Sequence, residues 1–146
     1  MGKLADEAVS RLEAERTETL RQLLGLSDTE CRTPVEWYGR KQTVGHMLRL
    51  FTTHSLDHFQ HLHRLLQERG HKFTEAQILL MKANAAQAEF TALVRSLSDE
   101  EFCRTGPHDG DWSAAEVVNH VLTAESDYRQ AIQGAVHTAA TARGDE

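Results

Sequence analysis

Apolar residues return along this chain at intervals of three and four, the spacing of a helix that hides one stripe and wets the rest. The pattern predicts four long helices, at about 4–25, 43–69, 75–97 and 113–136. Alternating β-branched runs are not seen, and proline occurs only at Pro34 and Pro107. Both prolines fall in expected loops, the first of them the long stretch PVEWYGRKQ. The closing TAATARGDE, residues 138–146, is polar and is expected to fray as a disordered tail. Residues 1–137 are expected to form one domain.

The helix starts carry their own punctuation. Thr74 with Gln77, inside a Phe73/Ile78 pair, predicts a capping box and staple; Ser113 with Glu116, inside a Trp112/Val117 pair, predicts another. In each, a hydroxyl and a returning side chain satisfy amides that the first helical turn leaves unpaired. Thr43 is a candidate cap for the second helix, with His46 in place of the usual acid or amide.

The first and third helices end in nearly the same text, LSDTECRTP at Leu26–Pro34 and LSDEEFCRTG at Leu97–Gly106. Each holds a Ser-Asp-x-Glu box and predicts a short extra turn before a loop and a capped helix. The chain therefore reads as a duplicated helix-loop-helix unit. Two such units facing each other make an all-α four-helix bundle, since neither hides its apolar stripe alone. Cys31 and Cys103 sit at matching places in the repeats and are read as free packing thiols, because two cysteines build no disulfide framework.

Charge narrows the partners. Of 146 residues, 16 are basic and 22 acidic, for a formal charge of −6. That balance argues against nucleic acid and against an anionic membrane surface. No stretch approaches the length of a membrane span, the N-terminus lacks a signal-peptide core, and a cytoplasmic location is expected.

The nine histidines change the picture most. Four fall in THSLDHFQHLHRLL: His54, His58, His61 and His63. With His54 at 0° and 100° per residue, Met47, Leu50, Phe51, Leu62 and Leu65 lie between about −40° and +80°. His54, His58 and His61 fall at about 0°, 40° and −20°, inside that arc, while His46 and His63 lie off it. Burying imidazoles without partners costs on the order of 1–3 kcal/mol each. A divalent metal removes the difficulty by taking up the ring lone pairs. His54 and His58, spaced i and i+4, set two ring nitrogens one turn apart on one face, a common arrangement for a shared ion. A third ligand must come from elsewhere, and the last helix offers His120 at the edge of its apolar face. Three neutral histidines leave a coordination position open, as catalytic rather than structural zinc sites do. The plainer reading of such histidines is hydrogen-bonded packing.

Trp112, Ser113, Glu116, His120, Glu125 and Tyr128 follow a W-S-x-x-E-x-x-x-H-x-x-x-x-E-x-x-Y pattern. Thr43, His54 and His58 follow a second, in which HxxxH stands eleven and fifteen residues after a threonine. In both, the chain resembles the DinB/YfiT-like superfamily of metalloenzymes, four-helix bundles with a three-histidine metal site. The resemblance implies that His54, His58 and His120 are metal ligands. It also shows a departure, because the usual order has the W-S…H helix second and the HxxxH helix fourth. Here the hairpins are exchanged, as a circular permutation would exchange them.

Relatives in that superfamily include bacillithiol-dependent transferases and a mycothiol-dependent isomerase. The resemblance therefore implies a thiol S-transferase or hydrolase acting on a small molecule, with a low-molecular-weight thiol as partner. Three imidazoles accept zinc or nickel first, with iron or copper as further choices. The Glu of HExxH is missing from His54–His58, which disfavours a zincin-type protease, and no general base stands out between Asp57 and Glu125. Glu116 is better explained as a capping acid. Trp37 and Tyr38 are read as a pocket rim or as loop aromatics over the bundle end. A non-catalytic metal-binding scaffold, a homodimer included, is the alternative from another class, and axial haem ligation the weaker third.

Overall fold

The structure, a computed structural model, describes residues 2–144. Its elements run α1 (Lys3–Leu23), α2 (Asp28–Cys31), β1 (Pro34–Trp37), β2 (Arg40–Thr43), α3 (Val44–Glu68), α4 (Glu75–Arg95), α5 (Asp99–Cys103) and α6 (Ala114–Gly144). The fold class is all-α, as the periodicity predicts. Four helices are long, and the two short ones, α2 and α5, stand where the Ser-Asp-x-Glu boxes lie. Helix α6 runs on through residues 138–144, where the sequence predicts fraying, and residues 145 and 146 lie outside the described part.

The chain forms two compact units, Met1–Ala92 and Leu93–Glu146, with the division inside α4. Each is described by itself. Among the described residues no apolar side chain is buried, and the buried polar residue is Ser113, 5% exposed. Local devices therefore carry much of the order within each unit.

In the first unit, Ser27 caps α2 through a complete box. Its hydroxyl accepts from the Glu30 amide at 3.3 Å, and the Glu30 carboxylate accepts from the Ser27 amide at 2.8 Å. The segment after it is not the predicted loop but a two-stranded antiparallel hairpin, with Pro34 opposite Thr43 and Trp37 opposite Arg40. Tyr38 (φ 48°) and Gly39 (φ 70°) are both left-handed. Two such residues make the turn whose twist matches that of the strands it joins, and glycine adopts it without a Cβ penalty. The hairpin hands the chain directly to α3. Thr43 caps that helix, accepting from the His46 amide at 3.2 Å, and the Val44 amide donates to the Thr33 carbonyl at 3.0 Å. At Gly45 the first turn of α3 passes so close to α2 that a Cβ there would stand 3.2 Å from the Cys31 carbonyl oxygen.

The second unit repeats the plan without strands. Ser98 and Glu101 form the box of α5, and a loop leads to α6. That loop is folded tightly. The His108 amide donates to Asp111 Oδ2 at 2.9 Å, the Asp111 amide donates to the His108 carbonyl at 3.1 Å, and Gly110 supplies a left-handed turn (φ 84°). Ser113 and Glu116 then complete the box that opens α6.

Candidate metal centre

Helix α3 positions the HxxxH pair. One helical turn separates His54 from His58, and their rings lie 4.4 Å apart at 73°, edge to face. His61 continues the row, 6.3 Å beyond His58. Among the described residues no ring nitrogen of His54 or His58 makes a hydrogen bond, so both rings keep their donor atoms uncommitted. Two imidazoles one turn apart on one helix face are donors of the type a divalent cation takes.

The exposure of α3 differs from the wheel. His54, His58 and His61 are exposed, while His46 and His63, placed off the apolar arc, are half-buried. The reason lies in what this unit packs on α3. Helix α2 and strand β2 touch its N-terminal end, so His46 gains cover there and the middle of the helix does not. His63 gains its cover from Phe73, stacked on it at 5.1 Å and 12°, with His71 edge-on to the same phenyl ring at 4.7 Å. Phe73, predicted as one half of a staple, thus stands in an aromatic–histidine cluster at the end of α3, and Ile78 is 43% exposed.

A hollow of about 320 Å³ opens beside the pair's helix, lined by Leu20, Leu23, Cys31, Leu48 and Phe51, with Arg16 among its walls. The Arg16 guanidinium sits 5.7 Å over the Phe51 ring, a cation–π contact. Trp37 and Tyr38 do not line it. They pack edge-on against each other at 4.8 Å at the hairpin tip, 49% and 89% exposed. Cys31 is half-buried in the hollow wall, whereas Cys103 is exposed. The true counterpart of Cys31 in the second box is Phe102, four residues past its cap as Cys31 is. Sequence matching had aligned the two thiols one position out.

His120 belongs to the second unit. It stands two turns into α6, exposed, and its ring meets the Trp112 indole edge to face at 5.1 Å and 63°. That contact is invisible to a helical wheel, because Trp112 precedes the helix. The only signal for it is an aromatic residue just ahead of the cap. Among the described residues the His120 ring makes no hydrogen bond.

Glu116 acts as the capping acid. One of its oxygens accepts from both the amide and the hydroxyl of Ser113, each at 2.7 Å. The amide first and the hydroxyl second hold its carboxyl below the usual range. Asp57 is exposed on α3, and nothing assigns it a role. Among the described residues no group of three or more His, Cys, Asp or Glu side chains is gathered where it could hold an ion. The structure thus brings together His54 and His58 within one unit and pairs His120 with Trp112 in the other. Also among the described residues, no helix is long and apolar enough to cross a membrane.

Residues 83–146 match the model of a protein family, the DinB superfamily. The matched stretch covers the C-terminal part of α4, all of α5 and α6, and the Trp112-Ser113…His120 motif. No curated protein and no solved structure matches the chain.

Proposed function

We propose that the chain, whose residues 83–146 match the DinB superfamily, is a metal-dependent enzyme of that superfamily with His54, His58 and His120 as its metal ligands. The observation that carries the reading is the His54–His58 ring pair, two uncommitted imidazoles 4.4 Å apart on one face of α3. His120 completes the set because it stands in the matched motif and leaves both ring nitrogens free. Three imidazole ligands leave a position for a substrate atom.

A divalent cation there, zinc or nickel by preference and iron or copper as further choices, supplies positive charge that favours loss of a proton from a thiol or a water. The chain's own residues do the rest. His54 and His58 offer neutral nitrogens and, packed edge to face, restrict each other's rotation. The Ser113–Glu116 box fixes the start of α6 and with it the height of His120. The reaction class is thiol S-transfer or hydrolysis on a small molecule, with a low-molecular-weight thiol as the partner.

The test is thiol consumption by zinc-loaded protein in the presence of an electrophilic acceptor, read beside thermal melting with and without a chelator. Metal-dependent turnover that disappears in His58→Ala is the expected result. Bound metal with no thiol-dependent turnover, together with a large fall in melting temperature on chelation, gives the ion a purely structural role.

A further inference from the structure

A histidine that ligates a metal is ordinarily oriented by a partner on its other face, most often through a hydrogen bond to its second nitrogen. His54 and His58 lie against each other, but His120 has no imidazole neighbour and no hydrogen bond among the described residues. The partner of its ring is the Trp112 indole, 5.1 Å away at 63°. An edge-to-face aromatic contact of this kind is attractive and directional. It restricts the imidazole, and among the described residues neither ring nitrogen makes a hydrogen bond.

The indole is itself held from behind. The next residue, Ser113, is the buried cap of α6, and its amide and hydroxyl are both tied to Glu116. The loop before Trp112 is braced by the His108–Asp111 hydrogen bonds and by Gly106, where a Cβ would stand 2.4 Å from that of Asp111. Backbone on both sides of Trp112 is thus fixed by local contacts, and its side chain folds back along the first two turns of α6 to reach His120. At 54% exposure the indole is not serving as core.

We propose that Trp112 is the positioning residue for His120, its indole setting the direction in which that imidazole presents a nitrogen to a divalent cation. This rests on the ligand reading of His120, and the measurements below separate the two.

In metal-free protein, the His120 ring resonances are assigned by their loss in His120→Ala. They are expected displaced from ordinary histidine positions because of the indole ring current. Trp112→Leu, which keeps apolar bulk and removes the ring, should return them to ordinary positions, and Trp112→Phe should keep most of the displacement. Zinc affinity is then measured by competition with a chromophoric chelator. Trp112→Leu is expected to weaken it about tenfold, the low end for loss of a group that orients a ligand, and Trp112→Phe to restore most of that loss. His120 resonances unmoved by Trp112→Leu would overturn the proposal. So would Trp112→Leu binding zinc as tightly as the parent while His120→Ala does not. Unchanged zinc affinity in His120→Ala overturns the ligand reading instead, and the proposal with it, whatever the ring current shows.

Discussion

Ser113 is the buried polar residue among those described, and its surroundings show why. Its hydroxyl receives the Glu116 amide at 3.2 Å and donates to the Glu116 carboxylate, so neither donor nor acceptor is stranded by burial. Ser113→Ala is therefore expected to cost about 0.5–2 kcal/mol of stability, as other cap deletions do. Denaturant unfolding checks it, and an unchanged midpoint would contradict the role given to the box. Gly106 is a second sharp case. A methyl group there would collide with the Cβ and the carboxylate of Asp111, at 2.4 to 2.8 Å. Asp111 is pinned by the His108 amide and cannot step aside freely. Gly106→Ala should destabilise by about 1–3 kcal/mol, seen as a lowered melting temperature, whereas Gly25→Ala, with open space around it, should avoid that clash. At this scale the sequence was informative about caps and about the i, i+4 spacing of His54 and His58. It was silent about Trp112 and His120, because a wheel says nothing of a side chain that enters from outside the helix.

At the scale of elements, three Ser-x-x-Glu boxes repeat one device, which Thr74 and Gln77 also form at the start of α4. Glu30 and Glu101 are held below the usual carboxylate range, first by the Ser27 and Ser98 hydroxyls and then by the amides of the same residues. Glu116 is lowered by the Ser113 amide and then its hydroxyl. A carboxyl depressed in the folded state contributes stability above its unfolded pKa, and that contribution is lost as pH falls through the folded value. Helicity followed by circular dichroism should therefore fall on acidification below the ordinary glutamate range. Glu30→Gln, Glu101→Gln and Glu116→Gln together should flatten that dependence while keeping hydrogen-bonding side chains, and an unchanged acid profile in the triple variant would contradict the assignment.

The long helices were legible because their periodicity is strong and their starts are marked. The hairpin was not. Its strands, PVEW and RKQT, are four residues each and carry little apolar alternation. Its turn puts a tyrosine, rather than asparagine or aspartate, in a left-handed position beside Gly39. The link between hairpin and helix, the Val44 amide on the Thr33 carbonyl, is what places Thr43 as a cap and so sets where α3 begins.

For the whole molecule, the two compact units do not coincide with the sequence repeats, since most of α4 lies in the first, and each lacks a buried apolar residue among those described. Duplication was readable from LSDTECRTP and LSDEEFCRTG, because a box must keep its serine and glutamate three apart to close. Burial was not readable in the same way. On the apolar arc of α3 Met47, Leu50 and Leu65 are half-buried while Phe51 and Leu62 are exposed, because what covers an arc depends on elements packed from outside it, and His54 and His58 are exposed within their own unit. The proposed ligands are divided between units, two on α3 and one on α6.

Metal content measured by elemental analysis of untagged protein tests their common purpose most directly, in the parent beside His58→Ala and His120→Ala. Near-stoichiometric divalent metal in the parent and a large loss in both variants is the predicted result. Full occupancy retained in either variant would remove that histidine from the ligand set, and a parent that takes up no metal would contradict the assignment altogether.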